Sequence, residues 1–163
     1  AIFGLDFGYV HDETALICAI ADQEAKELYI FDEHYQKAMV NSEIASMIKY
    51  KGYAKEVIYA DCAEPKSIEE IKRAGIIRIK PAAKGKDSIL NGIQFIQDFK
   101  LIVHSKCENT IIELNNYCWD TKDGVAINKP IDAYNHLLDA LRYATCKLKK
   151  RDIFITDKSF YNL

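Results

Sequence analysis

The segment Ile2-Phe3-Gly4-Leu5-Asp6-Phe7-Gly8 limits the possible folds more than any other part of the chain. Residues 2–7 have the apolar density of a buried strand, yet Asp6 stands between Leu5 and Phe7. An unpaired charge inside a sheet is costly, so such a carboxylate is paired, protonated or bound to a cation. The strand therefore belongs inside a sheet, and Asp6 needs a partner.

Downstream, TALICAIA at 14–21 reads as a second strand after a polar turn, and ELYIFDEHY at 27–35 as a third, rich in the aromatic and β-branched residues that suit a pleated surface. Together they predict a three-stranded antiparallel meander. From Asn41 the period changes: Ile44, Met47 and Ile48 recur at helical spacing, with Asn41 or Ser42 as cap and an end near Gly52. VIYA at 57–60 is a short strand that runs directly into Asp61. Pro65 starts a helix that turns Ile68 and Ile71 inward and stops at Gly75. A strand at 76–80, a helix over 87–99, a strand at 101–104 and a helix over 108–118 continue the alternation. WDTKDGVAINKP predicts a hairpin around Asp123-Gly124. The last helix is expected from Asp132, its N-cap, to Lys149, with Leu137, Leu141, Ala144 and Leu148 as core stripe. The expected class is α/β: a mixed central sheet of three antiparallel strands followed by parallel α/β units, flanked by helices.

The chain has 163 residues, about half of them hydrophobic, enough for one domain with a real core. We assign it to residues 1–149, with 150–163 as a weakly patterned tail that docks on a neighbour or stays mobile. The formal charge of −2 supplies no overall basic field, so an anionic partner must be met by a local patch. Five cysteines without a CxxC pair read as reduced core residues, not a disulfide framework or a zinc site. No apolar run reaches the length of a membrane span, and no signal-peptide pattern is present. The chain is thus expected to stay in a cytoplasm.

Three acids fall at comparable places: Asp6 in the first strand, Asp61 at the end of the fourth, and Asp139 in the last helix. Side chains at strand ends gather in the crevice beyond those ends, and a helix packed across it can deliver a third carboxylate. Such a cluster suits hard divalent cations, Mg²⁺ or Mn²⁺, which prefer oxygen ligands. Two ions roughly 3.5–4 Å apart activate a water and stabilise the leaving oxygen of a phosphodiester. Each acid also has a plain reading: Asp6 bonded to nearby N–H groups, Asp61 opening the turn toward Pro65, Asp139 on a solvated face. His136, three residues before Asp139 on one helical face, is either structural or a proton-handling neighbour of the acids.

Four segments in chain order, GLDFGYVHDETAL at 4–16, YADCAEPKSIEEIKRAGI at 59–76, KGKDSILNGIQFIQ at 84–97 and KPIDAYNHLLDALRYA at 129–144, carry a family resemblance. Together they resemble the C-terminal nuclease domain of the large terminase subunit of tailed double-stranded-DNA bacteriophages. The resemblance implies a ribonuclease H-like fold and a metal-dependent endonuclease that cuts concatemeric viral DNA with two Mg²⁺ or Mn²⁺ ions. It maps Asp6, Asp61 and Asp139 onto the acidic metal-binding triad, with His136 beside it. Ribonuclease H itself commonly adds a fourth acid from its first helix; here Glu43 lies at that helix's beginning and reads as a capping residue. The family couples this nuclease to an ATPase motor, and no G-x-x-x-x-G-K-[ST] loop occurs here. The motor is expected in an N-terminal part preceding Ala1. Double-stranded DNA, the small terminase subunit and the portal are the other implied partners, in the cytoplasm of an infected host.

IRIKPAAKGKDS carries Arg78, Lys80, Lys84 and Lys86 around a glycine, either as a solvated charge run or as a loop that meets phosphate oxygens. Contacts of that kind read no bases, so cutting would be weakly sequence-selective. The hairpin at Asp123-Gly124 is expected to border the cleft and gate the DNA. Three rivals stand beside this reading: another nuclease of the same fold, such as a Holliday-junction resolvase or RNA–DNA hybrid nuclease, an actin-like ATPase fragment suggested by GLDFG, and a docking module without chemistry.

Overall fold

The computed structural model describes residues 1–8, 12–83 and 88–148. The opening meander forms as expected: β1 (Ile2–Asp6), β2 (Glu13–Asp22) and β3 (Glu27–Lys37) pair antiparallel. Helix α1 (Asn41–Tyr50) leads to β4 (Ile58–Ala60), and α2 (Pro65–Arg73) to β5 (Ile79–Pro81). Then come α3 (Ser88–Gln97), β6 (Lys100–Val103), α4 (Glu108–Asn116), the hairpin β7 (Trp119–Lys122) and β8 (Val125–Pro130), and α5 (His136–Thr145). Six strands make one mixed sheet in the order β5-β4-β1-β2-β3-β6, with β4, β5 and β6 each parallel to its neighbour. Pro81, which has no N–H to donate, sits in the edge strand β5, where its loss is least costly.

Alternation along β1 separates two cores. Phe3 and Leu5 face one side, packing with Leu16, Ile44, Ile48, Ile58, Ile68 and Ile71 beneath α1 and α2. On the other side Ala15, Ile17 and Ile30 of β2 and β3 meet Leu137, Ala140, Leu141 and Ala144 of α5. Gly4 lies under α5: a Cβ there would overlap the Ala140 carbonyl and press on the Ala144 amide. The helix backbone therefore rests directly on β1, and Asp6, two residues on and on the same face, lies beside its first turn.

Several local expectations are corrected. The last helix begins at His136, not Asp132, because Tyr134 takes a left-handed φ of 55° and Asn135 is the N-cap. Asp132 therefore has no capping role. In α1 neither Asn41 nor Ser42 caps; Val40 is the N-cap, and Glu43 accepts its N–H at 3.0 Å, the capping role expected of that acid. The strand expected at 76–80 is shorter and later, since Ile76 is still hydrogen-bonded to the Ile71 carbonyl after the positive φ of Gly75. The hairpin turns at Asp123 (φ 53°) and Gly124 (φ 78°), the paired left-handed residues of a type I′ turn. The helix also ends sooner than expected, at Thr145 with Cys146 as C-cap, so Leu148 lies beyond it; Lys149 and the tail 150–163 lie outside the described residues. None of the helices among the described residues is long and apolar enough to cross a membrane.

Candidate functional site

The register of two parallel strands builds the centre of the site. Leu5 of β1 pairs with Ala60 of β4, and the Asp61 N–H donates to the Leu5 carbonyl at 3.2 Å. Asp6 and Asp61 are thus neighbours at the same ends of adjacent strands, on the side covered by α5. Asp139 comes from the first turn of that helix. Sequence separation of 55 and 78 residues collapses because β1 is central and α5 crosses it.

The three carboxylates have different surroundings. Asp6 is 9% exposed, and its Oδ2 accepts from His136 Nδ1 at 3.0 Å. Burial pushes its pKa up to about 6; the His136 hydrogen bond opposes this, and the charges of Asp139 and Asp61 add to it. Asp139 is also held above the usual carboxylate range by burial, with Arg142 pulling the other way. Arg142 binds the single oxygen Oδ1 twice, through Nη2 at 2.9 Å and Nε at 3.2 Å. Asp61 is more open, and its Oδ1 accepts the Ala63 N–H at 3.0 Å. Its turn role is therefore real, alongside its position beside Asp6.

His136 is bound on both edges of its ring: Nδ1 to Asp6 and Nε2 to Glu13 Oε2 at 3.4 Å. The Asp6 hydrogen bond raises its pKa, so the ring carries a proton between two anions more readily than a free histidine. Glu113 of α4, buried at 2% exposure, accepts the Leu137 and Leu138 N–H groups at 2.9 and 3.0 Å. It satisfies the orphan donors at the start of α5 and so fixes where His136 and Asp139 stand. The sequence reading passed over Glu13, Glu113 and Arg142. Only Arg142 left a signal, its i+3 spacing from Asp139.

Among the described residues, no group of three acidic, histidine or cysteine side chains is arranged to hold a metal ion as it stands. The donor chemistry nonetheless fits a hard cation: three carboxylates sense one another's charge in a half-dry crevice, and two are held above their ordinary pKa by burial. In this conformation Arg142 supplies the positive charge at Asp139. Of the basic residues, Lys80 is exposed on β5, and Arg78 is exposed but donates Nη1 to the Lys55 carbonyl at 2.8 Å. Lys84 and Lys86 lie outside the described residues.

Residues 6–147 match the model of the terminase RNase H-like domain family. The chain is 35% identical over 143 residues to the PBSX phage terminase large subunit of Bacillus subtilis (strain 168), covering 86% of this chain and 33% of that protein. It is 34% identical over 145 residues to the terminase large subunit of Bacillus phage SPP1, covering 86% and 34%. The chain thus spans about a third of the length of these two relatives. A crystal structure of the large terminase nuclease domain from bacteriophage SPP1 with bound Mn superposes with a TM-score of 0.83 at 31% identity, covering 88% of this chain and 84% of that one. The ribonuclease H-like arrangement expected from the sequence is therefore the observed one, and the chain belongs to the terminase RNase H-like domain family.

Proposed function

We propose that this chain is the metal-dependent endonuclease domain of a phage DNA-packaging terminase, cutting double-stranded DNA by hydrolysis of phosphodiesters. The observation that carries this reading is the convergence of Asp6, Asp61 and Asp139 on one face of the sheet, at the ends of β1 and β4 beneath α5. Asp6, Asp61 and Asp139 would hold Mg²⁺ or Mn²⁺, two ions during catalysis. Bound there, such ions polarise the scissile phosphodiester and make water a competent nucleophile at neutral pH. His136, clamped between Asp6 and Glu13, fixes the Asp6 carboxylate and keeps a proton close to the cluster. The manganese bound by the SPP1 relative supports the choice of cation.

Duplex DNA is held by Lys80, Lys84, Lys86 and Arg78 through phosphate oxygens, so cutting has little sequence preference. An N-terminal ATPase domain of the same polypeptide, the small terminase subunit and the portal would bring DNA to this site in the host cytoplasm, raising its local concentration. The hairpin β7–β8 would gate access. The test is cleavage of supercoiled plasmid, with an RNA–DNA hybrid in parallel, in Mn²⁺, Mg²⁺ or EDTA. Nicking and linearisation of plasmid that require the ion are expected; cleavage in EDTA, or of the hybrid alone, overturns the reading. For the phosphate contacts, Lys84→Ala with Lys86→Ala should flatten the slope of log affinity against log salt by about 2. A titration with an unchanged slope removes both lysines from the interface.

A further inference from the structure

Arg142 is built into the domain more firmly than a surface ion pair requires. Its side chain is 10% exposed, it grips Asp139 Oδ1 through two nitrogens, and its guanidinium lies 4.9 Å from the centre of the Tyr143 ring. It is also seated from the opposite side: a Cβ at Gly92 of α3 would collide with its Cγ and Cδ. The absent side chain at Gly92 is thus the notch through which the arginine stem passes. The arginine borders two cavities, one lined by Ile93, Phe99, Leu101, Tyr117 and Leu138, the other by Asn91, Phe95 and Cys146. With its side chain this little exposed, the guanidinium has Asp139 as its main counter-charge.

We infer that Arg142 is an internal cation that occupies Asp139 in the metal-free domain and competes with divalent ions for it, seated by the notch at Gly92. This rests on the proposed reading of Asp139 as a metal ligand. Both partners carry full charges, and the two short donations to one oxygen fix where that oxygen points. Because the grip takes Oδ1 alone, an ion that takes Asp139 must either displace the guanidinium or bind Oδ2 beside it, and the second course sets two cations against each other on one carboxylate. The same pair keeps Asp139 from standing unneutralised near Asp6 and Asp61 when no ion is bound, which a half-buried cluster of acids otherwise cannot tolerate. Arg142 is therefore a positioning residue: it acts on the site through Asp139. The domain exchanges one neutralising cation for another instead of assembling its site from free carboxylates.

The test is Mn²⁺ binding by titration calorimetry, without DNA, on wild type, Arg142→Gln and Gly92→Ala. Arg142→Gln removes the competitor; Gly92→Ala keeps the arginine but pushes it off its seat. Both should bind Mn²⁺ about tenfold more tightly than wild type, since a buried charge left unpaired seeks a new partner. Far-UV circular dichroism and melting in saturating Mn²⁺ check that each variant is folded. A second readout is the rise in Tm on adding Mn²⁺, expected to be larger in both variants than in wild type. Equal affinities in all three proteins overturn the competition while leaving the metal site standing. Weaker binding by the variants also overturns it, assigning the arginine to hold Asp139 in place for the ion. No binding by any of the three overturns the metal reading itself.

Discussion

Replacing Asp6 with Asn should lower metal-dependent cleavage by at least about 10³-fold, the loss expected when charge stabilisation at a reacting phosphate is removed, and should make the metal-free domain more stable at pH 8. The two effects share one cause. Burial in the strand pushes the Asp6 pKa up to about 6, so the folded domain binds its proton more tightly than the unfolded chain does. Stability then falls as pH rises from the ordinary aspartate value through about 6, and the loss persists above it. The difference corresponds to about 3 kcal/mol in principle, a net figure in which the His136 hydrogen bond already opposes the burial, and relaxation around the new amide reduces what a melt reads. A net gain of about 1–3 kcal/mol at pH 8 is a rise in Tm of several degrees. At pH 4 the two proteins should melt together. Plasmid cleavage and melting curves at the two pH values check both halves. Asp139→Asn should lose cleavage equally, but any gain in stability at pH 8 should be smaller than for Asp6→Asn, because burial raises both carboxyls while Arg142 loses its anion only in the Asp139 variant. If Asp6→Asn cuts DNA as well as wild type, Asp6 is a sheet carboxylate and no more.

The contrast between these acids shows what the sequence could disclose. Asp6 was legible because a carboxylate between Leu5 and Phe7 contradicts the burial of its strand, and Asp61 because its short apolar strand ends on it. The meander, the alternating second half and the type I′ hairpin followed from periodicity and turn chemistry, which are local. The start of α5 did not. It is set by Glu113, a residue of α4 that caps the helix from across the fold, and by the left-handed Tyr134, neither of which leaves a mark in the local pattern. Arg142 drew no reading at all, since a basic residue in a helix's last turn is ordinary. Only the packing of α3 on α5 at Gly92 reveals that it is enclosed. Long-range capping and interhelical notches are tertiary facts, and the sequence carries them only as unremarkable charged residues and a glycine.

Gly4→Ala should be the most damaging of the small substitutions in the sheet, costing about 3 kcal/mol or more by overpacking a site that has no slack. Gly4 has an ordinary φ, so alanine is conformationally acceptable there, and the whole penalty is steric. The added Cβ would meet the Ala140 carbonyl and the Ala144 amide, backbone atoms of α5 that no rotamer change can move aside. The helix would have to lift from β1, opening the packing of Leu137, Leu141 and Ala144 against Ile17 and Ile30. For a chain of this size the loss is a fall in Tm of about 6–12 °C. Gly52→Ala serves as the control: its φ of +84° makes alanine strained, but nothing lies within 4 Å of the new Cβ, so about 1 kcal/mol is expected. Thermal melts of the two variants separate close approach from backbone freedom. A lifted α5 also carries Asp139 away from Asp6 and Asp61, so Gly4→Ala should weaken Mn²⁺ binding even where the domain is fully folded. If the variant melts low yet binds Mn²⁺ as tightly as wild type, the seating of α5 on β1 sets stability alone and the metal site is positioned from elsewhere, with the Glu113 cap as the next place to look.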